Sequence, residues 1–226
     1  MAPADNTPVV KTSGAVAAFL NKVAATPAVS TGVRGRLVFA MDATASRGPS
    51  WAQAMAIQSD MFREAATVGA LDVQLVYYRG VLEFGASPWI ADAPSVVRLM
   101  QSVGVLGGQT QILRVLRHAA AESKASKVNA MVFIGDAVEE SADAIAEAAG
   151  HLGLQGVPVF LFHEGGGEPA ATVFKQIARI TGGAYSTFDA NSAQQLRDLL
   201  KAVARSRAFL ELNQLPTDTK PPTGNP

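Results

Sequence analysis

Residues 36–46 read Arg-Leu-Val-Phe-Ala-Met-Asp-Ala-Thr-Ala-Ser. From Arg36 to Met41 the run is apolar without alternation, and it stops at Asp42. A strand shows that pattern when helix layers cover both of its faces, as in a mostly parallel sheet. The polar residues Asp42, Thr44 and Ser46 then fall just past its carboxyl end. In open α/β sheets, ligands bind beyond that end, where the connections change sides. This one segment therefore indicates both the fold class and where to look for function.

The same signature recurs downstream. Val73–Tyr78 (VQLVYY), Ala130–Ile134 (AMVFI), Pro158–Phe162 (PVFLF) and Ala184–Phe188 all read as strands. Helical patterns occupy about 49–68, 93–102, 111–123, 140–152, 169–181 and 192–208. In the first of these, Trp51, Met55, Phe62 and Ala65 share a face, and Pro49 suits the first turn. Gly182 and Gly183 end the helix before the last strand. VLEFG, 81–85, follows VQLVYY after only Arg79 and Gly80. That gap is too short for a crossover, so the two segments are expected to form an antiparallel hairpin. The expected fold is α/β and doubly wound. Its sheet is six-stranded and mostly parallel, with one antiparallel edge strand and helices on both faces.

This domain is expected over 31–208. Residues 1–30 read as a flexible arm, a short helix at 13–25 with Val16, Phe19, Leu20 and Val23 on one face, and a linker. Residues 209–226 read as a Pro-rich tail.

Composition narrows the classes of function. Apolar residues make up 48% and charged residues 17%, enough for a sizeable core and too little charge for a disordered chain. Nineteen Lys and Arg balance nineteen Asp and Glu, and no basic run occurs, which argues against a nucleic-acid partner. With no cysteine, disulfides, thiol catalysis and Cys-based zinc sites are excluded. The amino-terminal stretch lacks the basic and apolar regions of a secretory signal. No apolar stretch is long enough to span a bilayer, so no membrane role and a cytoplasmic location are expected.

Two further polar positions join Asp42, Thr44 and Ser46. Asp136 follows the AMVFIG run, and Thr110 ends the Gly107-Gly108-Gln109-Thr110 turn that opens a helix. All of them fall at one edge of the expected sheet. Two carboxylates and three hydroxyls form an oxygen set suited to a hard divalent cation that keeps some of its waters. The alternative reading makes Ser46, Ser50 and Thr110 ordinary helix caps. Arg47, Tyr78, Arg79, Gln109, Glu139 and His163 fall at the same edge and are expected to form a partner-binding rim. Glu139 and Glu140 would also suit the first turn of the helix that follows them.

Asp-x-Thr-x-Ser after the first strand, Thr in a Gly-Gly-x-Thr turn, and Asp after the fourth strand resemble the von Willebrand factor A (VWA) and integrin-inserted domain family. The late segment IARITGGAYSTFDANSAQQLRDLL is similar to that family's last helix, strand and helix. The resemblance covers about 35–205, and within the family it points to stand-alone bacterial VWA proteins. It implies a metal-ion-dependent adhesion site (MIDAS) at which Mg²⁺ or Mn²⁺ is held directly by Thr44, Ser46 and Thr110. Asp42 and Asp136 would act mainly through water. The family more often has Ser where Thr44 stands, and Asp-Gly where Asp136 and Ala137 stand. By the same resemblance the chain is a non-enzymatic module whose protein partner supplies an acidic side chain to the metal. Two alternatives are a Mg²⁺-dependent phosphohydrolase with Asp42 as nucleophile and a scaffolding domain with a vestigial site. The phosphohydrolase loop usually carries a second carboxylate where this chain has Thr44.

Overall fold

The apolar runs become the strands that they predict. A computed structural model describes Lys22, residues 34–65 and 71–188, and Gln195, Asp198 and Leu199, the side chains of 60, 61 and 63–65 aside. The expected amino-terminal arm and helix (Lys22 excepted), most of the last helix and the Pro-rich tail lie outside the described residues.

The strands are β1 (Gly35–Asp42), β2 (Leu71–Arg79), β3 (Glu83–Ala86), β4 (Ala130–Gly135), β5 (Val159–His163) and β6 (Ala184–Thr187). The described helices are α1 (Gly48–Ala65), α2 (Ala93–Ser102), α3 (Ile112–Ala125), α4 (Ala142–Leu154) and α5 (Ala170–Thr181). The six strands form one sheet in the order β3-β2-β1-β4-β5-β6. All neighbours are parallel except β2 and β3. β2 flanks β1 on one side and β4 flanks it on the other, so the chain's connections diverge at the carboxyl ends of β1 and β4.

Alternation along β1 explains why its run is apolar throughout. Leu37, Phe39 and Met41 pack with Met55 and Phe62 of α1 and with Val96, Val97 and Met100 of α2. Val38 and Ala40 face the other layer, built from Val115 and Leu116 of α3, Ile145 and Leu152 of α4, and Phe174 and Ile177 of α5. Aromatic pairs tie both layers to the sheet. Phe39 meets Phe62 edge-on at 4.9 Å, and Phe133 meets Phe174 at 5.5 Å. Tyr77 packs on the first layer and Tyr78 is fully buried in the second, as successive strand residues require.

The hairpin departs from expectation in its register. Pairing begins at Arg79 with Glu83, not at Val81. Gly80 takes φ +60 and turns the chain at once. Val81 and Leu82 thereby form the tip, 67% and 79% exposed although apolar.

Candidate metal centre

Asp42 ends β1 opposite Tyr78 and has no solvent exposure. Its Oδ1 accepts the Thr44 N–H at 2.7 Å, and its Oδ2 accepts the Tyr78 hydroxyl at 2.8 Å. Burial raises the Asp42 carboxyl above its ordinary value. The bonds from Thr44 and Tyr78 oppose that rise, and the charge of Asp136 adds to it. Burial, reinforced by Asp42, holds the Tyr78 phenol well above its own ordinary value.

A single 3-10 turn over Ala45–Arg47 follows. It sets Thr44 Oγ1 and Ser46 Oγ 3.0 Å apart. Asp136 lies just past β4, half-buried, and its Oδ1 is buried with no hydrogen-bond partner among the described residues. Ser46 and Asp136 line one cleft of about 310 Å³, whose walls include Gln53 and Ile57 of α1 and Phe188 after β6.

Thr110 arrives on a loop pinned from two sides. Leu106 donates its N–H to the Ala43 carbonyl at 3.0 Å, and Gln109 donates to Gly80 at 3.2 Å. A Cβ on Gly108 would stand 1.9 Å from the Gly80 oxygen, so only glycine allows this approach. Thr110 itself is buried, and its Oγ1 accepts the Glu139 N–H at 3.0 Å.

The capping alternative finds no support in these contacts. The Ser46 hydroxyl meets Thr44, and that of Ser50 meets Glu164 at 2.9 Å and the Arg47 carbonyl at 3.2 Å. The Thr110 hydroxyl accepts from Glu139, and the N-cap of α3 is Gln111, which makes no side-chain cap bond.

The residues fit a divalent cation. The charge of Asp136 bears on the buried Asp42 carboxyl, one carboxylate oxygen is buried and unpaired among the described residues, and hydroxyls stand beside them. A cation would neutralise the first feature and satisfy the second. Among the described residues no group of three or more His, Cys, Asp or Glu could hold a metal. The available donors are thus hydroxyl-rich oxygen ligands, which favours a hard ion.

The expected rim needs correction at three positions. Arg47, Tyr78 and His163 are buried and turn inward instead of facing a partner. Arg47 donates from Nε and Nη2 to the two Glu164 carboxylate oxygens at 2.9 and 2.7 Å, and from Nη1 to the Asp42 carbonyl. Burial alone would raise the Glu164 carboxyl, but bonds and charge from Arg47, with Ser50, bring it below its ordinary value. His163 lies between the Tyr185 hydroxyl, 3.0 Å from Nδ1, and the Asp136 carbonyl, 3.2 Å from Nε2. The carbonyl requires the proton on Nε2, and burial lowers the ring's affinity for a second one. Arg79 is half-buried between Glu83 and the Gly104 carbonyl, while Gln109 and Glu139 are exposed. Glu164 and Glu140 fall at the same edge in sequence, but their contacts with Arg47 and with the start of α3 are not readable there, since no spacing ties either to its partners.

Sheet order, the single antiparallel edge and the Asp42, Thr44 and Ser46 loop at the switch point define a VWA-type fold. Solved structures of that class superpose on this chain. The von Willebrand factor type A protein of Catenulispora acidiphila matches with a TM-score of 0.59 at 17% identity, over 79% of this chain and 47% of that one. The vWF domain of the type V pili tip protein Mfa5 from Porphyromonas gingivalis matches with a TM-score of 0.62 at 10% identity, over 85% and 99%. Proximal thread matrix protein 1 of the mussel byssus, with a zinc-occupied MIDAS motif, matches with a TM-score of 0.58 at 17% identity, over 76% and 46%. This chain therefore spans about half the length of the first and third. No family model and no curated protein matches the sequence.

Proposed function

We propose that this chain is a non-enzymatic, metal-dependent protein-binding module. Mg²⁺, or Mn²⁺ in its place, is held by Asp42, Thr44, Ser46, Thr110 and Asp136, and a partner's Asp or Glu completes its coordination. The observation that carries this reading is the buried, unpartnered Asp136 Oδ1 near a second buried carboxylate and two adjacent hydroxyls. The zinc-occupied motif of the byssus protein supports a divalent cation on this fold. The oxygen-only donors favour Mg²⁺ over zinc in this chain.

The loop after β1 argues against the phosphohydrolase alternative. Thr44 stands where that chemistry needs a second carboxylate for acid–base work, and the Thr44 hydroxyl lies 3.0 Å from Ser46 Oγ instead. Calorimetric titration with Mg²⁺ and Mn²⁺, on wild type and on Ser46→Ala, tests metal binding. Capture of partners from the native cell with and without EDTA tests its use. Saturable binding that the variant weakens, with capture lost in EDTA, is expected. Capture unchanged by EDTA would sink the metal-dependent reading.

A further inference from the structure

Glu139, expected on the partner-facing rim, has its carboxylate committed to the turn that carries Thr110. Its Oε2 accepts the Thr110 N–H at 2.9 Å, and its own N–H is donated to Thr110 Oγ1 at 3.0 Å. Glu140 extends the grip, its carboxylate accepting the N–H groups of Ile112 at 2.6 Å and Leu113 at 2.9 Å. Both acidic side chains thus serve the start of α3 rather than α4, the helix that follows them in sequence. The segment leaving β4 with Asp136 is stapled to the turn that presents Thr110.

The arrangement constrains the Thr110 hydroxyl. Its oxygen has two lone pairs and one proton. The Glu139 N–H occupies one lone pair, which leaves two directions to the proton and the other lone pair. The Glu139 carboxylate holds the backbone of the same residue, so hydroxyl and main chain are anchored by one partner.

We infer that Glu139 is a positioning residue that aims the Thr110 hydroxyl at the cation through this two-point grip and not through its charge. The inference rests on the metal-binding reading above. An exposed carboxylate near a cation also attracts it through space, but screening makes that contribution small. Two variants separate the effects. Glu139→Gln keeps an acceptor oxygen at the same reach and loses the charge. Glu139→Asp keeps the charge and is one methylene too short.

Mn²⁺ affinity at physiological ionic strength is measured by calorimetry and by electron paramagnetic resonance, alongside the methyl shift of Thr110 on adding Mg²⁺. Glu139→Gln should stay within about twofold of wild type, the size of one exposed charge. Glu139→Asp should bind about tenfold more weakly, as when a metal ligand loses its hydrogen-bond support. The Thr110 methyl shift should persist in Glu139→Gln and shrink in Glu139→Asp. Circular dichroism should be unchanged in both. The reverse ranking would assign the effect to charge and overturn the inference, as would equal affinities in all three proteins. Wild type that binds no Mn²⁺ would remove the metal reading and this inference together.

Discussion

Replacing Asp136 with alanine should strengthen the protein without metal and weaken it with metal. In protein stripped by EDTA, Asp136 Oδ1 is buried with no hydrogen-bond partner among the described residues. A buried acceptor left unpaired costs about 1–3 kcal/mol. Asp136→Ala removes that cost and the charge that helps raise the Asp42 carboxyl. Little packing is lost with it, because the residue is half-buried at the sheet edge. A domain of this size shifts its Tm by about 2–4 °C per kcal/mol. The variant should therefore melt about 2–12 °C higher than wild type in EDTA. Wild type at Mg²⁺ a hundredfold above its Kd should gain about 2.7 kcal/mol. That corresponds to about 5–11 °C, and the variant should gain none of it. Scanning calorimetry in EDTA and across a Mg²⁺ series would show the two curves crossing. A variant that melts below wild type in EDTA would make Asp136 a structural residue. One that keeps the full Mg²⁺ gain would remove it from the site.

Further tests bear on the supports around the centre. Arg47→Met strands the buried Glu164 carboxylate and should cost about 3–5 kcal/mol in denaturant unfolding, whereas Arg47→Met with Glu164→Leu should recover most of that loss. Thr110→Ala should weaken Mg²⁺ binding in calorimetry while leaving helix content by circular dichroism unchanged, because the hydroxyl does not cap α3. The folded-state pKa of Glu164 lies below its ordinary value of 4.5. Its contribution is therefore present above that pH and lost as pH falls through the folded value, and chemical-denaturation stability measured in acid should show a loss that Glu164→Gln flattens.

The sheet was legible because burial on both faces leaves a direct mark, an apolar run that ends at a polar residue. Asp42 and Asp136 each follow such a run, and their placement at adjacent strand ends follows from the register of Met41 with Ile134. The supports were not legible, because they depend on contacts between elements far apart in sequence. Nothing around Arg47 indicates that Glu164 will meet it, so an arginine beside a polar loop reads as a surface residue. The carboxylates of Glu139 and Glu140 likewise reach across to α3, whereas local reasoning assigns them to the helix that follows. The short gap predicts the hairpin but not its tip, which lies at Val81 and Leu82. Val81 and Leu82 have strand-like side chains, and the positive φ of Gly80 overrides that preference.

The meeting of Gly80 and Gly108 has a consequence for engineering. With no room for a Cβ between them, the hairpin tip and the 104–109 loop form a single mechanical unit beside Thr44, to which Leu106 is bridged. Val81, Leu82, Leu106 and Gln109 stand on that unit, all exposed. A display library intended to retarget this surface should diversify those four positions together and hold both glycines fixed. Grafting a foreign hairpin tip alone would disturb the turn that carries Thr110.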